Sequence, residues 1–279
     1  MIHRAHVIGQ GRLGQHWADR LEGIGIETIR WSRTPSEHVR DMGHWKATEA
    51  SEAVFIAVPD GAIAEVAERA AQGLQPGTLL AHHAGAVTLN ALPVPPQDRA
   101  VMWPPMTFIK GQTPAWESMP LAVESENPNW LTWAKNMSPQ AFALTATSRR
   151  ALHLGAVLAG NLSAAWIGTV EAYLETHDLN LNMLAPLVEE SVANALKGKA
   201  LSTVSGPAAR NDRDTLAQQT AALSGGTAQQ AELAALHRIL TNRILDHHGH
   251  DLLPPPQPPQ PPRPPRSPQP EKLYSITER

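Results

Sequence analysis

A glycine-rich turn near the start of the chain constrains its fold more than any other segment. An apolar run, residues 5–8, stops at Gly9, and Gly11 and Gly14 complete a Gly-x-Gly-x-x-Gly spacing before a helical pattern begins. This order of strand, tight turn and helix is typical of the first βαβ unit of a dinucleotide-binding domain. The alternative is a glycine-rich turn without a ligand. The sequence predicts that the following residues bind the cofactor: Gly9, Gln10, Gly11, Arg12, Leu13 and Gly14.

Composition limits the class of protein. The chain has 279 residues, a net charge of −3 and no cysteine. This length suits two domains with real cores, and the charge gives no general attraction to nucleic acid or acidic membranes. The lack of cysteine excludes disulfides, thiolate nucleophiles and zinc–sulfur sites. The first strand begins too early for a signal peptide, and no apolar run approaches the ~20 residues that span a bilayer. We therefore expect a cytoplasmic protein without nucleic-acid or membrane partners.

Residues 1–145 are predicted to form an α/β Rossmann-like domain with a mostly parallel, doubly wound sheet. Strand-like and helical runs alternate here, as in a parallel sheet covered by helices on both faces. The strand-like runs cover residues 6–8, 28–31, 54–58 and 78–82, and the helical runs cover residues 14–22 and 62–72. A further strand near residues 120–124 and one more helix are expected in the passage rich in Pro and Trp, residues 93–133.

Residues 146–250 are predicted to form an all-α domain. One long helix, residues 148–176, is followed by helical patterns at 184–197, 214–223 and 227–248. The pair Gly225-Gly226 and Gly249 are expected to act as stops. Because the long helix is apolar on more than one face, we expect it to be covered by a second copy of the chain in a homodimer.

Within the third part, residues 251–279, the segment 254–270 is mostly proline with Gln, Arg and Ser. Such a segment favours an extended polyproline II tail. Two alternatives stay open: a solvated tail without a partner, and a ligand for an aromatic groove in another protein.

The end of the second strand predicts the choice of cofactor. An acidic residue about 20 residues past the glycines would hold the ribose hydroxyls and repel a 2′-phosphate. This chain has Arg30–Thr34 there, and no carboxylate follows before Glu37. Arg33 can make a forked contact with a phosphate, and Ser32 and Thr34 add hydroxyl donors, which favours NADP(H). The alternative is that Arg33 is a solvated loop residue.

Two more strands are expected to end beside the cofactor. In an open parallel sheet the ligand lies beyond the carboxyl ends of the strands. The apolar run that ends at Val58 leads into Pro59 and Asp60, and the next strand ends at His82. We therefore add Val58, Pro59, Asp60 and His82 to the predicted cofactor-binding residues.

Three segments together carry a resemblance to a known family. They are Ala57-Val58-Pro59-Asp60, His82-His83-Ala84-Gly85-Ala86 and Ser205-Gly206-Pro207-Ala208-Ala209-Arg210-Asn211-Asp212. The chain over about residues 4–248 resembles Rossmann-like proteins with the helical domain of unknown function 2520. These are related to the pyrroline-5-carboxylate reductase and 6-phosphogluconate dehydrogenase superfamily. The resemblance implies a nicotinamide-binding domain followed by a helical dimerisation and substrate domain of the 6-phosphogluconate dehydrogenase C-terminal-like type, without naming a reaction.

Three positions depart from the pattern that the resemblance implies. Ala84 stands where a hydroxyl is usual, and Trp103 stands where a histidine is usual. Val157 occupies the slot in which related dehydrogenases carry a lysine. Each change removes a possible proton donor near the expected nicotinamide.

Two residues of the long helix are the predicted catalytic residues. His153, Val157 and Asn161 follow at four-residue spacing, which places them on one helix face. The resemblance implies that His153 and Asn161 stand at matching positions. His153 could protonate a developing alkoxide or amine, and Asn161 could hold a polar group of the substrate. The alternative is that His153 is only a capped or partly exposed residue.

Arg210 is the predicted substrate-binding residue. It could bind a substrate carboxylate, or it could pair with Asp212, which suits the N-cap of the following helix. His247, His248 and His250 do not have the spacing of a known metal site, and we expect no metal.

These features predict an NADP(H)-dependent oxidoreductase that transfers hydride to or from a C=O or C=N bond of a small metabolite. The alternative is a non-catalytic NADP-binding sensor or regulatory protein, supported by Ala84, Trp103 and Val157. A third hypothesis is an interaction protein whose proline-rich tail binds a partner.

Overall fold

The computed structural model describes residues 2–45, 52–94, 98–224 and 227–255. The chain divides into two compact units, Met1–Ile167 and Gly168–Arg279. The division falls within the long helix, whereas the sequence places it before that helix. The domain bounds 1–145, 146–250 and 251–279 stay predictions. The expected stop at Gly225-Gly226 and the proline-rich tail from residue 256 lie outside the described residues.

The first unit is built on an eight-stranded sheet with the order β3-β2-β1-β4-β5-β6-β7-β8. The strands are β1 (Arg4–Ile8), β2 (Glu27–Ser32), β3 (Arg40–Asp41), β4 (Ala53–Ile56), β5 (Leu79–His82), β6 (Asp98–Trp103), β7 (Leu121–Ser125) and β8 (Ala141–Ala143). All neighbours are parallel except β6 and β7, which are antiparallel. The sheet is therefore mostly parallel, as predicted.

The strand register brings the expected site segments to one edge. Ile8 at the end of β1 pairs with Trp31 of β2 on one side and with Ile56 of β4 on the other. Ile56 in turn pairs with His82 at the end of β5. The carboxyl ends of four neighbouring strands therefore lie side by side, where open α/β sheets bind their ligands.

Helices cover both faces of this sheet. They are α1 (Arg12–Gly23), α2 (Ile63–Ala71) and α3 (Asn129–Met137). One core contains Trp17 and Leu21 of α1 with Phe55 of β4, and the other contains Ile63 of α2 with Ile56. Because the central strands are buried on both faces, their sequences are continuous apolar runs rather than alternating patterns.

The predicted strands near residues 6–8, 28–31, 54–58, 78–82 and 120–124 are confirmed, although β4 ends at Ile56 instead of residue 58. Strands β3 and β8 were not predicted, because strands of two and three residues are too short to show an apolar pattern in the sequence. Strand β6 lies in a passage where the sequence predicts short strands without fixing their bounds.

The long helix of the prediction is confirmed, with an irregularity inside it. It consists of α4 (Ala146–Ala156), a π-helical turn (Val157–Asn161) and α5 (Leu162–Glu175). Thr145 caps its start, because its side chain accepts a hydrogen bond from the amide of Ser148.

By length and composition alone, this helix could cross a membrane. It has 30 residues, and an 18-residue window has a mean hydropathy of 1.3 with no residue of the window buried. The expectation that no apolar segment is long enough was wrong. Small and polar residues interrupt the apolar run of this helix, but the mean hydropathy of the window is still that of a possible membrane span. One such helix is weak support for a membrane protein.

The second unit is helical over its described residues. After α5, its helices are α6 (Ala185–Leu196), α7 (Ala200–Thr203), α8 (Arg213–Ala222) and α9 (Ala228–His247). The three longer ones confirm the predicted patterns. Asp212 is the N-cap of α8, as expected, and Thr227 and Gln230 form a capping box at the start of α9.

The core of the second unit is small. Its buried apolar cluster consists of Ala208, Leu216 and Leu245, with Ile244 and Leu253 packed against it. Neither α5 nor α6 buries a residue. Large apolar side chains are left exposed at Leu162 of α5 and at Leu187, Val192 and Leu196 of α6, which is unusual for a chain that acts alone.

Candidate functional site

Main-chain packing fixes the turn between β1 and α1. Gly9 has a φ of +104°, and a Cβ built on it would lie 2.4 Å from the carbonyl oxygen of Ala57. A Cβ on Gly14 would lie 1.9 Å from the carbonyl oxygen of Gly9. Both distances are far below any real carbon–oxygen contact, so both positions require glycine. The amide of Gly9 donates to the carbonyl of Trp31 at 2.8 Å, which ties the turn to β2.

The middle glycine of the motif faces open space. Gly11 is the N-cap of α1, has a φ of −69°, and would have no atom within 4 Å of a Cβ. No side chain caps this helix, and no acidic residue lies in its first turn. The first amides of α1 and the positive end of its dipole can therefore receive an anion.

The neighbouring side chains of the turn have different surroundings. Gln10 donates to the carbonyls of Val7, at 3.4 Å, and Gly9, at 3.1 Å, so its side chain supports the turn from within. Arg12 is exposed and Leu13 is partly buried in the first turn of α1. The structure thus brings all six predicted residues into one turn.

The segment after β4 borders this turn. The amide of Ala57 donates to the carbonyl of Ile8 at 2.8 Å, and Cγ1 of Val58 would lie 3.1 Å from a Cβ on Gly9. Pro59 precedes a short 3₁₀ turn that begins at the exposed Asp60. Val58 therefore lies beside the glycine turn, and the binding of a cofactor by Val58, Pro59 and Asp60 stays a prediction.

Two arginines near the end of β2 differ in their surroundings: Arg33 faces solvent, whereas Arg30 forms ion pairs with α1. Arg33 is exposed, and no hydrogen bond or ion pair joins its side chain to another described residue. The amide of Thr34 donates to the hydroxyl of Ser32 at 3.1 Å, which shapes the loop. Arg30 instead pairs with carboxylates of α1, Asp19 at 2.7 Å and Glu22 at 2.8 Å.

Strand β3 adds two charged residues that sequence reasoning missed, because a strand of two residues has no pattern. Arg40 is exposed, and its guanidinium carbon lies 5.5 Å from the centre of the Trp31 ring. Asp41 pairs with Ser32 in the β2–β3 register. Its carboxylate accepts from the amide of Gly43 at 2.8 Å, so one of its oxygens is already engaged.

His82 is a buried structural residue in this arrangement, which does not support contact of its imidazole with a cofactor. Its side chain is 0% exposed. Nε2 donates to the carbonyl of Thr88 at 3.3 Å, and Nδ1 accepts from the amide of Ala84 at 3.2 Å. Burial, with a smaller contribution from the charge of Arg149, lowers the pKa of His82 to about 4. The neutral ring therefore shapes the turn after β5.

His83 lies deeper in the core. Its Nδ1 donates to the carbonyl of Met102 at 2.7 Å, and its ring centre is 3.9 Å from that of Trp17. Burial lowers its pKa to about 3. His83, for which the sequence predicts no role, is therefore a core residue.

His153 reaches the turn that follows β5. It is partly buried, and its ring meets Trp103 edge to face with centres 5.3 Å apart. A Cβ on Gly85 would lie 2.5 Å from His153 Nδ1 and 2.8 Å from Trp103 Cε2. Gly85 is thus needed to admit both rings. His153 lies near the carboxyl ends of β5 and β6, where a catalytic group would be useful.

The π-helical turn affects how His153 and Asn161 share a face. Eight residues of regular α-helix place the second side chain about 80° around the axis, whereas one extra residue in a π-turn reduces this to about 20°. The turn Val157–Asn161 lies between them. Asn161 is exposed and Val157 is partly buried. The four-residue spacing in the sequence predicts the common face. The reason for it is instead the extra residue of the π-turn, which brings the two side chains close to the same direction.

Arg210 lies in the second unit and is exposed. Side-chain and backbone hydrogen bonds from Thr215 lower the pKa of Asp212, and the charge of Arg210 contributes less. The substrate-binding role of Arg210 stays a prediction.

The histidines at the end of α9 are bound to other groups. Nε2 of His247 lies 3.2 Å from the hydroxyl of Ser202, and Nε2 of His250 lies 3.2 Å from the carbonyl of Ala209. Within the described part of the chain, no group of three or more possible ligands could hold a metal ion.

A buried ion pair next to His153 was also missed. Arg149 Nε donates to Glu124 Oε2 at 2.8 Å, and the Arg149 side chain is 0% exposed. The partners are separated by 25 residues, so only the tertiary fold brings them together.

Comparison with known proteins supports the observed architecture. The model of the domain of unknown function DUF2520 matches residues 120–244, so the chain carries this domain. It begins at β7, inside the sheet. No curated protein matches the sequence.

Several solved structures resemble the chain. A candidate NADP oxidoreductase from Bacteroides fragilis has a TM-score of 0.73 at 20% identity, covering 87% of this chain and 98% of that one. A protein from Thermotoga maritima has a TM-score of 0.65 at 19% identity, covering 88% and 100%. The imine reductase from Myxococcus stipitatus in complex with NADP+ has a TM-score of 0.53 at 13% identity, covering 87% and 92%. At these identities the likeness shows the fold, a Rossmann-like domain followed by helices.

Proposed function

We propose that this Rossmann-fold protein with a DUF2520 domain is an NADP(H)-dependent oxidoreductase. It transfers hydride between the nicotinamide and a C=O or C=N carbon of a small metabolite. The observation that carries the proposal is the glycine turn, where Gly9 and Gly14 are required by packing and Gly11 faces open space. That combination leaves main-chain amides free for a pyrophosphate, and a Cβ on Gly11 would intrude.

The 2′-phosphate is assigned to the loop after β2. Arg33 is exposed and unengaged among the described residues, so its guanidinium is available to a phosphate. Ser32 and Thr34 supply hydroxyls, and Arg40 adds a second exposed cation on the neighbouring strand. Forked guanidinium–phosphate contacts are among the strongest polar interactions in proteins.

The chain's own residues would handle the substrate and the proton. Bound NADP(H) supplies or accepts the hydride at the substrate carbon. His153 donates the proton to the alkoxide oxygen or amine nitrogen that develops during reduction, and takes it back in the reverse reaction. Asn161, on the same helix face, holds the polar group of the substrate.

We further propose a cytoplasmic homodimer. The exposed apolar side chains of Leu162 in α5 and of Leu187, Val192 and Leu196 in α6 support a second copy as their cover. The burial of Arg149 at the start of the long helix favours a protein-bound helix over a membrane-spanning one.

The test of the cofactor assignment is a titration of NADPH and NADH against tryptophan fluorescence. Arg33→Ala should weaken NADPH binding about tenfold to a hundredfold, because a charge-assisted contact contributes about 1.5–3 kcal/mol, and should hardly change NADH binding. Arg243→Ala, at an exposed position of the second unit, is the control. Equal losses for both coenzymes would overturn the 2′-phosphate assignment, and no binding of either would overturn the proposed function.

The second candidate is a non-catalytic NADP-binding sensor. Trp103 packs against His153 at a position where the family pattern has a histidine, and Val157 stands in a lysine slot. A screen of carbonyl and imine compounds that follows the absorbance of the reduced nicotinamide separates the two. Tight binding without turnover across such a screen favours the sensor.

A further inference from the structure

A buried ion pair connects the sheet to the helix that carries His153. The Arg149 side chain is 0% exposed and that of Glu124 is 14% exposed, with 2.8 Å between Nε and Oε2. Arg149 Nη1 also donates to the carbonyl oxygen of Ala84 at 3.2 Å and to that of Gly85. One guanidinium therefore ties β7, α4 and the turn after β5 together.

The turn that Arg149 holds is the one on which His153 packs. His153 follows Arg149 by four residues in α4, so both side chains leave the same helix face. Gly85, whose carbonyl accepts from Arg149, is also the residue whose missing Cβ makes room for His153 Nδ1. The location of the imidazole is thus set by a main-chain segment that Arg149 fixes.

We propose that Arg149 and Glu124 are positioning residues that hold the 84–85 turn and, through it, the imidazole of His153 for proton transfer. The inference rests on the proposed function, which gives His153 a reaction to serve.

Stability alone does not account for the pair. Burying two charges costs desolvation energy, and apolar side chains of similar volume are often as stabilising. Only a guanidinium offers planar, fixed donors to a carboxylate and to two carbonyls at once, and an ammonium cannot reproduce that geometry. This arrangement suits a positioning role, in which Arg149 fixes the locations of Glu124 and of the 84–85 turn.

The experiment compares Arg149→Lys and Glu124→Gln with Arg150→Lys in the full chain. Arg150 is the exposed neighbour of Arg149 in the same helix turn, so it is a matched control. The first measurement is an NMR titration of the His153 imidazole, assigned by its loss in His153→Gln, and it requires neither cofactor nor turnover. The second is the NADPH affinity, and the third is the pH profile of turnover on a compound found by the carbonyl and imine screen.

We expect Arg149→Lys to change the pH-dependent NMR signals of the His153 imidazole, because the surroundings of the ring change. Turnover should fall about tenfold to a hundredfold with a displaced pH profile, because small misplacements of a reacting group are costly. The NADPH affinity should stay within about twofold, since the phosphate turn is separate. Arg150→Lys should change none of the three.

An unchanged His153 titration in folded Arg149→Lys and Glu124→Gln would overturn the positioning role. If Arg149→Lys does not fold, Glu124→Gln decides by the same titration, because it removes the charge and keeps the side-chain shape. If the wild-type protein binds neither coenzyme, the proposed function fails, whereas the titration still decides the role of Arg149.

Discussion

At the scale of single residues, the glycines of the phosphate turn have separable roles. Gly14 lies against the carbonyl of Gly9, and Gly9 lies against the carbonyl of Ala57, so both serve the fold. Gly11 touches nothing within 4 Å of its Cβ position and has an ordinary φ of −69°. In the proposed function, this open space is where the phosphates of the coenzyme approach the turn.

Alanine substitutions should separate folding from binding. Gly14→Ala should destabilise the protein by several kcal/mol, since a Cβ 1.9 Å from a carbonyl oxygen forces the backbone apart. Gly11→Ala should leave the thermal midpoint within about 2 °C and abolish NADPH binding. Differential scanning fluorimetry and fluorescence titration measure the two effects. Gly23→Ala, at a helix position with open space, is the control. Normal NADPH binding by Gly11→Ala would contradict the assigned phosphate path.

The paired histidines after β5 should make stability sensitive to acid. The pKa values of His82 and His83 are about 4 and about 3 in the folded protein, below their ordinary value of 6.5. As pH falls below 6.5 the unfolded chain takes up protons while the folded one stays neutral. Their stabilising contribution is therefore fully present above pH 6.5 and is lost as pH falls toward 4 and 3.

We expect the free energy of unfolding to fall by about 2 kcal/mol per histidine between about pH 7.5 and pH 5. Urea denaturation at several pH values measures this. His83→Asn should remove about half of the dependence, whereas His38→Asn, at an exposed position, should leave it unchanged. A wild-type slope in His83→Asn would show that this histidine is not the source.

The sequence predicts residues of the site well where the constraint is local. The glycine spacing specifies its own turn, because Gly14 packs against the carbonyl of Gly9, and Gly9 packs against the carbonyl of Ala57 after the neighbouring strand β4. The burial of His82 and the contact of Arg149 with Glu124 depend on how distant segments pack, and no local pattern records that. A histidine at a strand end is therefore ambiguous between a ligand and a core residue until the fold is known.

At the scale of elements, the long helix is the piece that carries the proposed proton donor. Apolar periodicity and the Thr145 cap make its existence predictable. The π-turn Val157–Asn161 is not predictable from periodicity. It adds one residue to the helix, and on a helix that is apolar on more than one face this extra residue does not visibly change the spacing of the apolar side chains. Such turns often occur at functional sites, which agrees with the placement of Asn161.

The start of this helix should depend on one hydroxyl. Thr145 accepts from the amide of Ser148 at 3.2 Å, and its loss leaves an amide without its cap. Thr145→Ala should cost about 1 kcal/mol of unfolding free energy, while Thr145→Ser should cost much less. Urea titration followed by circular dichroism measures both. Equal losses in the two variants would contradict a capping role.

At the scale of the whole molecule, the two units differ in how they bury apolar surface. The first has continuous cores on both faces of its sheet, and the second has a small cluster around Leu216 and Leu245. The sequence predicts the mostly parallel sheet and the helical second part, because alternating elements dictate the first and the loss of strand patterns the second. The antiparallel pairing of β6 with β7 could not be predicted, because the length of a connection does not determine whether the next strand runs parallel or antiparallel to its neighbour.

Association should be visible in solution. Leu154, Leu158 and Leu162 are 59%, 54% and 52% exposed along the long helix. We expect the wild-type protein to sediment at twice its chain mass of 30.2 kDa without detergent. Leu158→Lys should shift it toward one chain mass, because an unpaired charge in an apolar interface is costly. Val94→Lys, at a 71% exposed position of the first unit, should not. A monomeric wild-type protein at micromolar concentration would contradict the dimer.

The bend between β1 and α1 has a consequence for redesign. Its shape comes from amides and carbonyls in mutual contact, with support from the Gln10 side chain, and none of these groups titrates near neutral pH. In the proposed function, the turn therefore binds the diphosphate of either coenzyme in the same way. Any preference between coenzymes must therefore be encoded at the other end of the adenosine moiety, in the loop at residues 32–34. Swapping those few positions would convert the preference of the protein while leaving its hold on the shared portion of both coenzymes intact.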